Sequence, residues 1–576
     1  MTQKWAAAIL ILAGIVAYGN TAKNGLFWDD DEFITKNAYV KSFGYIGQWF
    51  TRPLTYGAGV MSNYYRPLLL ASFAVDYKLW GAWPAGYHLE NMLWHTLAGI
   101  LLFIFLLTLF SKKDSPCDAR TVLNIAFATA LLWLVHPVHV EAVAYANSRG
   151  DSMAAVFILL TLILWMKKRF WASAATFLAA LLSKEFAIVT PGLIALIEFM
   201  KAWPSSGRPG LFKLSVGFAP HLIITVVYLL LRLTVLNFQN TLNFYGVDLT
   251  KADQTQPLVQ YATSLPVRLL TFLKVLPIYA KILVWPDDLH MERTVEIPAT
   301  ILDPSILFSL SFISILAGFF GWTLIFSKRK LAGTSEPRSH ALREHPASSC
   351  AAVGGWREGS VLWGFAVGWF FISILPVSGI IPISQILAEH FLYLPSMGFF
   401  VILSLVIVYL ASLSFRAERS GVEKSSEAIL NRMIFFIVII LTAPLLLKTI
   451  RQNRIWRDPI TFYEYTLSRA EPTARVYNNL AMAYADQDEH QKAINNYQLA
   501  IGLGDVYPNP HYNLGNTYRD MGEGEKAELE YKRALQIDPN FHFARLTLGQ
   551  MYLDKGKIEE AIKLVCPVFP TQPLCL

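Results

Sequence analysis

Consecutive acidic residues near the amino terminus form the most reactive cluster in the sequence. The run Asp29 to Glu32 follows the first apolar segment, Trp5 to Tyr18, within the sequence LFWDDDEFI. If that segment crosses a membrane, the acids lie at its far interface, where an unneeded cluster of like charges is expensive. A carboxylate there could take a proton from a hydroxyl group as a general base. The alternative is a solvated acidic loop, since charge runs often simply face solvent.

Basic residues from later segments could complete a site of this kind. A phosphate leaving group departs as an anion, so it needs cations rather than a general acid. The candidates are Arg66, Arg149 and Lys184. Asp151 either belongs to the site or caps the amino end of the helix that follows it. Lys184 and Glu185 form either an internal ion pair of little value or a functional pair at membrane depth.

A histidine-containing segment, HPVHVE at residues 136–141, resembles a partial metal site. Two histidines and a carboxylate can bind zinc, but the proline between the histidines argues against a shared helical face and no third anchor is evident. We therefore predict a site role for His139 and Glu141 without a metal, or a hydrogen-bonded turn. Glu389 and His390 form a further polar pair beside a span. No cofactor is predicted, although a divalent ion at the acidic run stays open.

Composition places these residues in a membrane protein. Of 576 residues, 54% are hydrophobic and only 16% are charged, and the mean hydropathy is +0.39. A soluble domain is nearer a quarter charged, so we predict an all-α, polytopic helical bundle. The net charge of +7 does not indicate nucleic-acid binding, because the basic residues form short runs between apolar segments. Eleven apolar segments are long enough to cross a bilayer, at about 4–20, 88–110, 121–137, 152–167, 170–184, 186–201, 211–234, 303–327, 361–376, 392–412 and 432–449.

Basic clusters after alternate segments predict the orientation of the bundle. With the amino terminus in the cytoplasm, every such cluster is cytoplasmic, as the positive-inside rule requires. Eleven spans then put the carboxyl terminus and all candidate site residues on the outer face. The first outer loop, 20–88, is expected to form short amphipathic helices, and Val267 to Val284 an interfacial or re-entrant helix. The segment 328–359 has no periodic apolar face and is predicted to be a flexible cytoplasmic linker.

A repeat of 34 residues begins after the last span. LAMAY at residue 480 recurs as LGNTY at 514 and LGQMY at 548, with Ala493, Ala527 and Ala561 in phase. This spacing predicts tetratricopeptide repeats at about 474–507, 508–541 and 542–575. The chain then has a membrane domain, 1–450, and a repeat domain, 451–576. Such arrays present a concave surface for extended peptides or protein partners.

The cysteines follow the predicted compartments. Cys566 and Cys575 lie on the outer side, where an oxidising periplasm would allow a disulfide. Cys117 and Cys350 fall in cytoplasmic loops and are expected to be free thiols.

Five motifs in a fixed order carry a family resemblance: FWDD at 27–30, YRPL at 65–68, HPVHVEAV at 136–143, LSKE at 182–185 and AEHFLYLPS at 388–396. Together with the repeats, they make the chain look like a bacterial relative of the transmembrane and tetratricopeptide repeat-containing protein O-mannosyltransferases, of the GT-C glycosyltransferase superfamily. The resemblance implies an inverting transferase that uses a polyprenyl-phosphate sugar at the outer face of the bacterial inner membrane. Mannose and Ser/Thr acceptors are properties of the eukaryotic relatives.

The resemblance also assigns roles to individual residues. Asp29 and Asp30 match the family's aspartate pair, which implies that one of them is the catalytic base. Arg149 and Lys184 match basic positions that, by superfamily analogy, contact the lipid-linked phosphate. His390 stands where many relatives have arginine, and Asp31 and Glu32 lie beyond the pair without an assigned role.

Two other functions stay open at this stage. The repeats could assemble an envelope complex with the membrane part as an anchor, or the transferase could act on a lipid-linked glycan instead of a protein. A pure anchor has no use for acids and cations on the same face. The expected partners of a transferase are the polyprenyl-phosphate sugar donor, an acceptor protein bound through the repeats, and membrane lipids, with no nucleic acid.

Overall fold

The computed structural model describes residues 2–110, 119–202, 216–238, 257–298, 300–329, 356–380, 385–417 and 423–567. Within these ranges every regular element is helical, which confirms the all-α prediction. The chain divides into two compact units, Met1–Trp456 and Arg457–Leu576.

Sixteen α-helices of the first unit lie in the described ranges. In chain order they are α1 Gln3–Tyr18, α2 Ile46–Trp49, α3 Pro67–Trp80, α4 Pro84–Phe110, α5 Ala119–Val135, α6 Val140–Ala144, α7 Arg149–Met166, α8 Phe170–Ser183, α9 Thr190–Ala202, α10 Ala219–Leu233, α11 Pro257–Thr263, α12 Leu265–Val284, α13 Pro304–Arg329, α14 Trp356–Ile374, α15 Ser396–Ala417 and α16 Glu423–Asn453. A helix therefore lies at each of the eleven apolar segments, and α12 covers the segment predicted to be an interfacial or re-entrant helix.

Several of these helices have the length and composition of membrane spans. Among the described residues, the stretches Gln3–Lys23, Pro84–Phe110, Ala146–Met166 and Ile429–Trp456 qualify singly. The helices Ala119–Val135 and Pro137–Ala144 qualify only as a pair that bends by 53°. Phe170–Ser183, Ala219–Leu233, Pro304–Ile315, Leu362–Val377 and Ser396–Ser412 are apolar but shorter. A membrane-type bundle is thus supported, while the count of eleven spans stays a prediction.

The helices on both sides reach into the predicted linker. Residues 328–329 are the last of α13 and residues 356–359 are the first of α14, so both ends of the predicted flexible segment are helical. Continuation of the neighbouring apolar helices explains the difference, since a formed helix adds one hydrogen bond for each residue that extends it. Residues 330–355, including Cys350, lie outside the described residues, as does Cys117.

Helices α1 and α4 of the first unit pack closely. Gly14 of α1 faces Thr96 of α4, where an added Cβ would come within 2.3 Å of the Thr96 hydroxyl oxygen. Small residues at such contacts let membrane helices approach closely. The first outer loop, predicted to form short amphipathic helices, contains α2, α3 and several single turns. Buried side chains of the loop, including Phe33 and Trp49, pack with Phe73 of α3 in one hydrophobic cluster.

The second unit is an array of helix pairs. Its helices are α17 Pro459–Leu467, α18 Ala474–Ala485, α19 His490–Leu503, α20 Pro508–Asp520, α21 Gly524–Ile537, α22 His542–Asp554 and α23 Ile558–Val565. Ala493, Ala527 and Ala561, which repeat in phase, are all fully buried between paired helices. This arrangement confirms the tetratricopeptide repeats. Cys566 is disulfide-bonded, and its proposed partner, Cys575, lies outside the described residues.

The repeat unit contains a buried histidine whose charge contributes to stability. The ring nitrogens of His511 lie 2.5 Å from a Glu530 oxygen and 2.8 Å from an Asp505 oxygen. Burial alone would lower the pKa of His511, but the hydrogen bonds and charges of these two carboxylates outweigh it and raise the pKa above its usual value. A raised histidine pKa stabilises the folded state below the unfolded pKa of about 6.5, and this contribution is lost as the pH rises through the folded pKa.

We therefore expect α20 and α21 to become less stable as the pH rises from 6 to 9. Hydrogen exchange of their amides, corrected for intrinsic rates, would measure the change. His511→Gln should remove this pH dependence, whereas His542→Gln, at an exposed position, should leave it intact. An identical pH dependence in wild type and His511→Gln would contradict the assignment.

Candidate active site

The acidic run lies in a turn that one buried carboxylate holds in place. Trp28 has φ = 62°, in the left-handed region that bulky residues rarely adopt. Asp30 is buried; one carboxylate oxygen accepts the Asn147 N–H at 2.9 Å and the other accepts the Phe27 N–H at 3.3 Å. Strained backbone of this kind persists only where its surroundings hold it, and it is frequent at active sites. Asp30 therefore joins the acidic turn to the segment that precedes α7.

Burial affects the protonation of Asp30 more than its hydrogen bonds do. The burial raises the pKa of the Asp30 carboxyl well above its usual range, although the two backbone N–H groups oppose the shift. The neighbouring charges of Asp29 and Asp31 raise it further. Asp30 thus has the environment of a structural carboxyl group.

Asp29 is held differently from its neighbour. Its backbone N–H donates to the Tyr145 hydroxyl at 3.1 Å, and the residue is only half-buried. Asp31 turns away to an exposed ion pair with Lys36 at 2.7 Å. The turn therefore separates three aspartates into a buried anchor, Asp30, a half-buried residue, Asp29, and a surface residue, Asp31.

Lys184 and Asp151 form an ion pair between α7 and the end of α8. Lys184 Nζ lies 2.7 Å from a carboxylate oxygen of Asp151, and the Lys184 side chain is 13% exposed. Gly150 permits this approach, because a Cβ there would lie 3.3 Å from the Ser183 carbonyl oxygen. The cap alternative for Asp151 is wrong: Ser148 is the N-cap residue of α7, and Asp151 lies in the first turn with its carboxylate on Lys184.

Glu185 does not pair with its sequence neighbour Lys184. It binds Arg66, which precedes α3, through two hydrogen bonds of 2.9 and 2.5 Å. Desolvation beside Arg66 opposes ionisation of Glu185, although the Glu185 side chain is 47% exposed, and the Arg66 charge and hydrogen bonds lower its pKa to about 2. The interpretation of Lys184 and Glu185 as one internal pair is therefore wrong, because the turn after α8 points the two side chains at different elements.

Glu141 and His390 form a third pair. His390 Nδ1 lies 2.6 Å from one Glu141 oxygen, and the His390 backbone N–H donates to the other at 3.0 Å. Glu389 points elsewhere and accepts from Arg293 at 3.0 Å. Burial raises the pKa of Glu389 to about 8, despite the opposing charge of Arg293.

The three pairs of acidic and basic side chains belong to one electrostatic network. The Lys184 charge acts on both Glu141 and Glu185, and the Asp151 charge acts on Arg66. We call the six residues of these pairs the charge network; they are Arg66, Glu185, Lys184, Asp151, Glu141 and His390. The segment from Tyr145 to Asp151 joins the network to the acidic turn, because Asn147 binds Asp30 and Asp151 binds Lys184.

Arg149 lies apart from this network. Its guanidinium is fully buried, 2.5 Å from an Asp76 oxygen, and it donates to the Asn91 side chain at 2.7 Å and the Tyr87 carbonyl at 3.0 Å. The guanidinium is therefore bound to Asp76, Asn91 and Tyr87, and its contact with a donor phosphate stays a prediction. Arg149 instead fixes the first turn of α7 against α3 and α4, and so positions Asp151.

His139 is also separated from the network. Its ring is buried among Trp133 at 4.8 Å and Tyr393 at 5.1 Å, and neither ring nitrogen has a hydrogen-bond partner in the described part of the chain. No group of three His, Cys, Asp or Glu side chains within the described ranges has the arrangement of a metal site. His139 and Glu141, two residues apart, thus point to different surroundings.

Sequence reasoning missed Tyr145, Asn147, Asp76 and Arg293. Each of these residues binds a partner that is distant in sequence. Asn147, for example, binds Asp30, and Arg293 binds Glu389. The one available signal was position: Tyr145 and Asn147 lie between two of the recognised motifs.

The arrangement defines a class of protein: a membrane-type helical bundle with paired acidic and basic side chains near the ends of its helices, followed by tetratricopeptide repeats. Models of the tetratricopeptide repeat match residues 508–541 and 474–503. Curated relatives match most of the chain. The Caenorhabditis elegans protein O-mannosyl-transferase F38B6.6 is 27% identical over 87% of this chain and 63% of its own length. Human protein O-mannosyl-transferase TMTC3 is 24% identical over 85% of this chain and 50% of its own length.

These matches and repeats identify the chain as a relative of the transmembrane and tetratricopeptide repeat-containing protein O-mannosyltransferases. The chain spans about half to two thirds of the length of these relatives. A solved structure, the APC/C hetero-tetramer Cut9-Hcn1, aligns over 93% of this chain and 98% of its own, but at 15% identity and a TM-score of 0.20 it carries no argument about the fold.

The burial of Arg149 generates a stability prediction. Arg149→Ala leaves the Asp76 carboxylate buried without its cation, which should cost about 3–5 kcal/mol of unfolding free energy. Thermal unfolding of the purified protein would measure the loss. Lys36→Ala, which breaks the exposed pair with Asp31, is the matched control and should leave stability close to wild type. A fully stable Arg149→Ala variant that fails only to bind donor would instead support a phosphate contact.

Proposed function

We propose that the protein is a GT-C glycosyltransferase that moves a sugar from a polyprenyl-phosphate carrier to Ser or Thr hydroxyls of proteins, with inversion at the sugar carbon. Relatives that match most of the chain are named protein O-mannosyl-transferases, which makes mannose the first sugar to test. The observation that carries the proposal is that one short segment contacts both the acidic turn and the charge network. Asn147 of this segment binds Asp30 of the turn, and Asp151, four residues later, binds Lys184 of the network.

Asp29 is the proposed general base. Both Asp30 oxygens accept backbone N–H groups in a buried position, whereas Asp29 is half-buried and held through its backbone. In the reaction, Asp29 takes the proton of the acceptor hydroxyl as that oxygen attacks the anomeric carbon. The bond between this carbon and the phosphate oxygen breaks, and its electron pair leaves with the phosphate. One displacement of this kind inverts the configuration.

Basic side chains of the charge network are proposed to stabilise the departing phosphate. Lys184 and His390 are the best placed, because their side chains are 13% and 16% exposed and each is oriented by one buried carboxylate. Two N–H donors of Arg66 already bind Glu185, so Arg66 is proposed as a supporting contact. Preorganised charges of this kind lower the barrier because they need little rearrangement as negative charge develops.

The remaining assignments follow from the same proposal. The bundle is placed in a bacterial inner membrane with its amino terminus in the cytoplasm, and the repeats in the periplasm bind the acceptor protein. If the acceptor is a lipid-linked glycan instead, deletion of residues 474–576 should leave transfer intact. If the chain is only a scaffold, changes to Asp29 should have no effect on glycosylation.

The direct test compares the three aspartates of the turn. Asp29→Asn should lower kcat by about 10²- to 10⁴-fold, the usual contribution of a general base, while thermal stability stays near wild type. Asp30→Asn should reduce stability as well as activity, and Asp31→Asn should retain both. Transfer of radiolabelled sugar from polyprenyl-phosphate to a Ser/Thr peptide in proteoliposomes measures activity. Full activity of Asp29→Asn would remove the proposed base.

A further inference from the structure

An aromatic contact connects the end of the first unit to the acidic turn. Trp456, the last residue of that unit, is buried and stacks on Tyr145 with ring centroids 5.4 Å apart and an interplanar angle of 27°. The Phe27 ring, two residues before Asp29, lies 6.3 Å from the Trp456 ring. Stacked aromatic pairs bury large areas and prefer defined geometry, so they restrict the motion of both partners.

Tyr145 also forms a hydrogen bond with Asp29. Its hydroxyl oxygen accepts the Asp29 N–H at 3.1 Å and is also in contact with the Asn147 side chain. Burial, followed by the charges of Asp29 and Asp30, holds the pKa of Tyr145 well above its usual range, so the hydroxyl stays neutral. The backbone N–H of Asn147 binds Asp30, and therefore one short segment holds both aspartates.

A second set of bonds fixes the chain just before Trp456. The Asn453 side chain donates to the Ala17 carbonyl and to the Asn20 side chain, each at 2.8 Å. Asn20 donates to the Ile450 carbonyl at 2.9 Å, and Asn24 donates to the Asn453 carbonyl at 3.3 Å. The end of α16 is thus bonded to the turn that leads into the acidic run, independently of the aromatic stack.

From this geometry we infer that Tyr145 and Trp456 are positioning residues that set the place of Asp29 for proton transfer. The stack fixes the position of the Tyr145 ring, and the hydrogen bond to the Tyr145 hydroxyl fixes the backbone of Asp29. The inference rests on the proposed function, in which Asp29 is the base. The repeat unit begins at the next residue, Arg457, so the segment that enters the repeats is the one that positions the base.

The test separates the hydroxyl from the ring. Tyr145→Phe keeps the stack but removes the acceptor of the Asp29 N–H, Trp456→Leu removes the stack, and Trp456→Phe restores an aromatic ring. We expect Tyr145→Phe and Trp456→Leu to lower kcat at least about tenfold, because small displacements of a catalytic group can cost up to about 10²-fold. KM for donor and peptide should stay within about twofold of wild type, and Trp456→Phe should recover most of kcat.

Tyr45→Leu is the matched control. It breaks an aromatic pair with Tyr39, whose ring centroid lies 5.0 Å away, in the loop 20–88 that also contains Asp29. This variant should keep wild-type kcat. Wild-type kcat in Tyr145→Phe and Trp456→Leu, beside an inactive Asp29→Asn, would overturn the inference and leave the proposed function standing. Parallel losses of kcat and thermal stability that Trp456→Phe does not rescue would also overturn it. An active Asp29→Asn would reject the proposed base itself.

Discussion

The hydrogen bond from the Asn147 N–H to the buried Asp30 carboxylate is the contact on which the candidate site depends. It joins a loop near residue 30 to the start of α7, which is more than a hundred residues away. Removing a partner from a buried carboxylate leaves that group unsatisfied, which is costly. Because this bond holds the turn, Asp29 can keep a half-buried position beside it.

Compensated charge is the second organising feature. Each basic side chain of the charge network is held by a carboxylate from another element, so Arg66 and Lys184 are oriented without an uncompensated buried charge. Arg149 and Asp76 likewise compensate each other's charge in the interior. Their ion pair fixes the helix end that carries Asp151. Arg149 thus lies in sequence between Glu141 and Asp151, two carboxylates of the charge network.

Sequence patterns predicted the parts of the molecule that depend on local periodicity. Helices lie at the apolar segments, and the 34-residue period gave the repeat pairs with Ala493, Ala527 and Ala561 buried. It was harder to predict which side chains pair with each other, because pairing depends on contacts between residues that are distant in sequence. Lys184 and Glu185 are adjacent in sequence but bind Asp151 and Arg66, and Arg149 turns inward to Asp76. No spacing rule could have indicated that Tyr145 binds Asp29.

We propose that the acidic turn and the charge network bind one and the same donor molecule. A structure of the protein with a non-hydrolysable polyprenyl-phosphate sugar analogue tests this most directly. We predict that the phosphate lies within hydrogen-bond distance of Lys184, with the anomeric carbon on the side of the Asp29 carboxylate. A phosphate bound away from Lys184, or a sugar remote from Asp29, would contradict it.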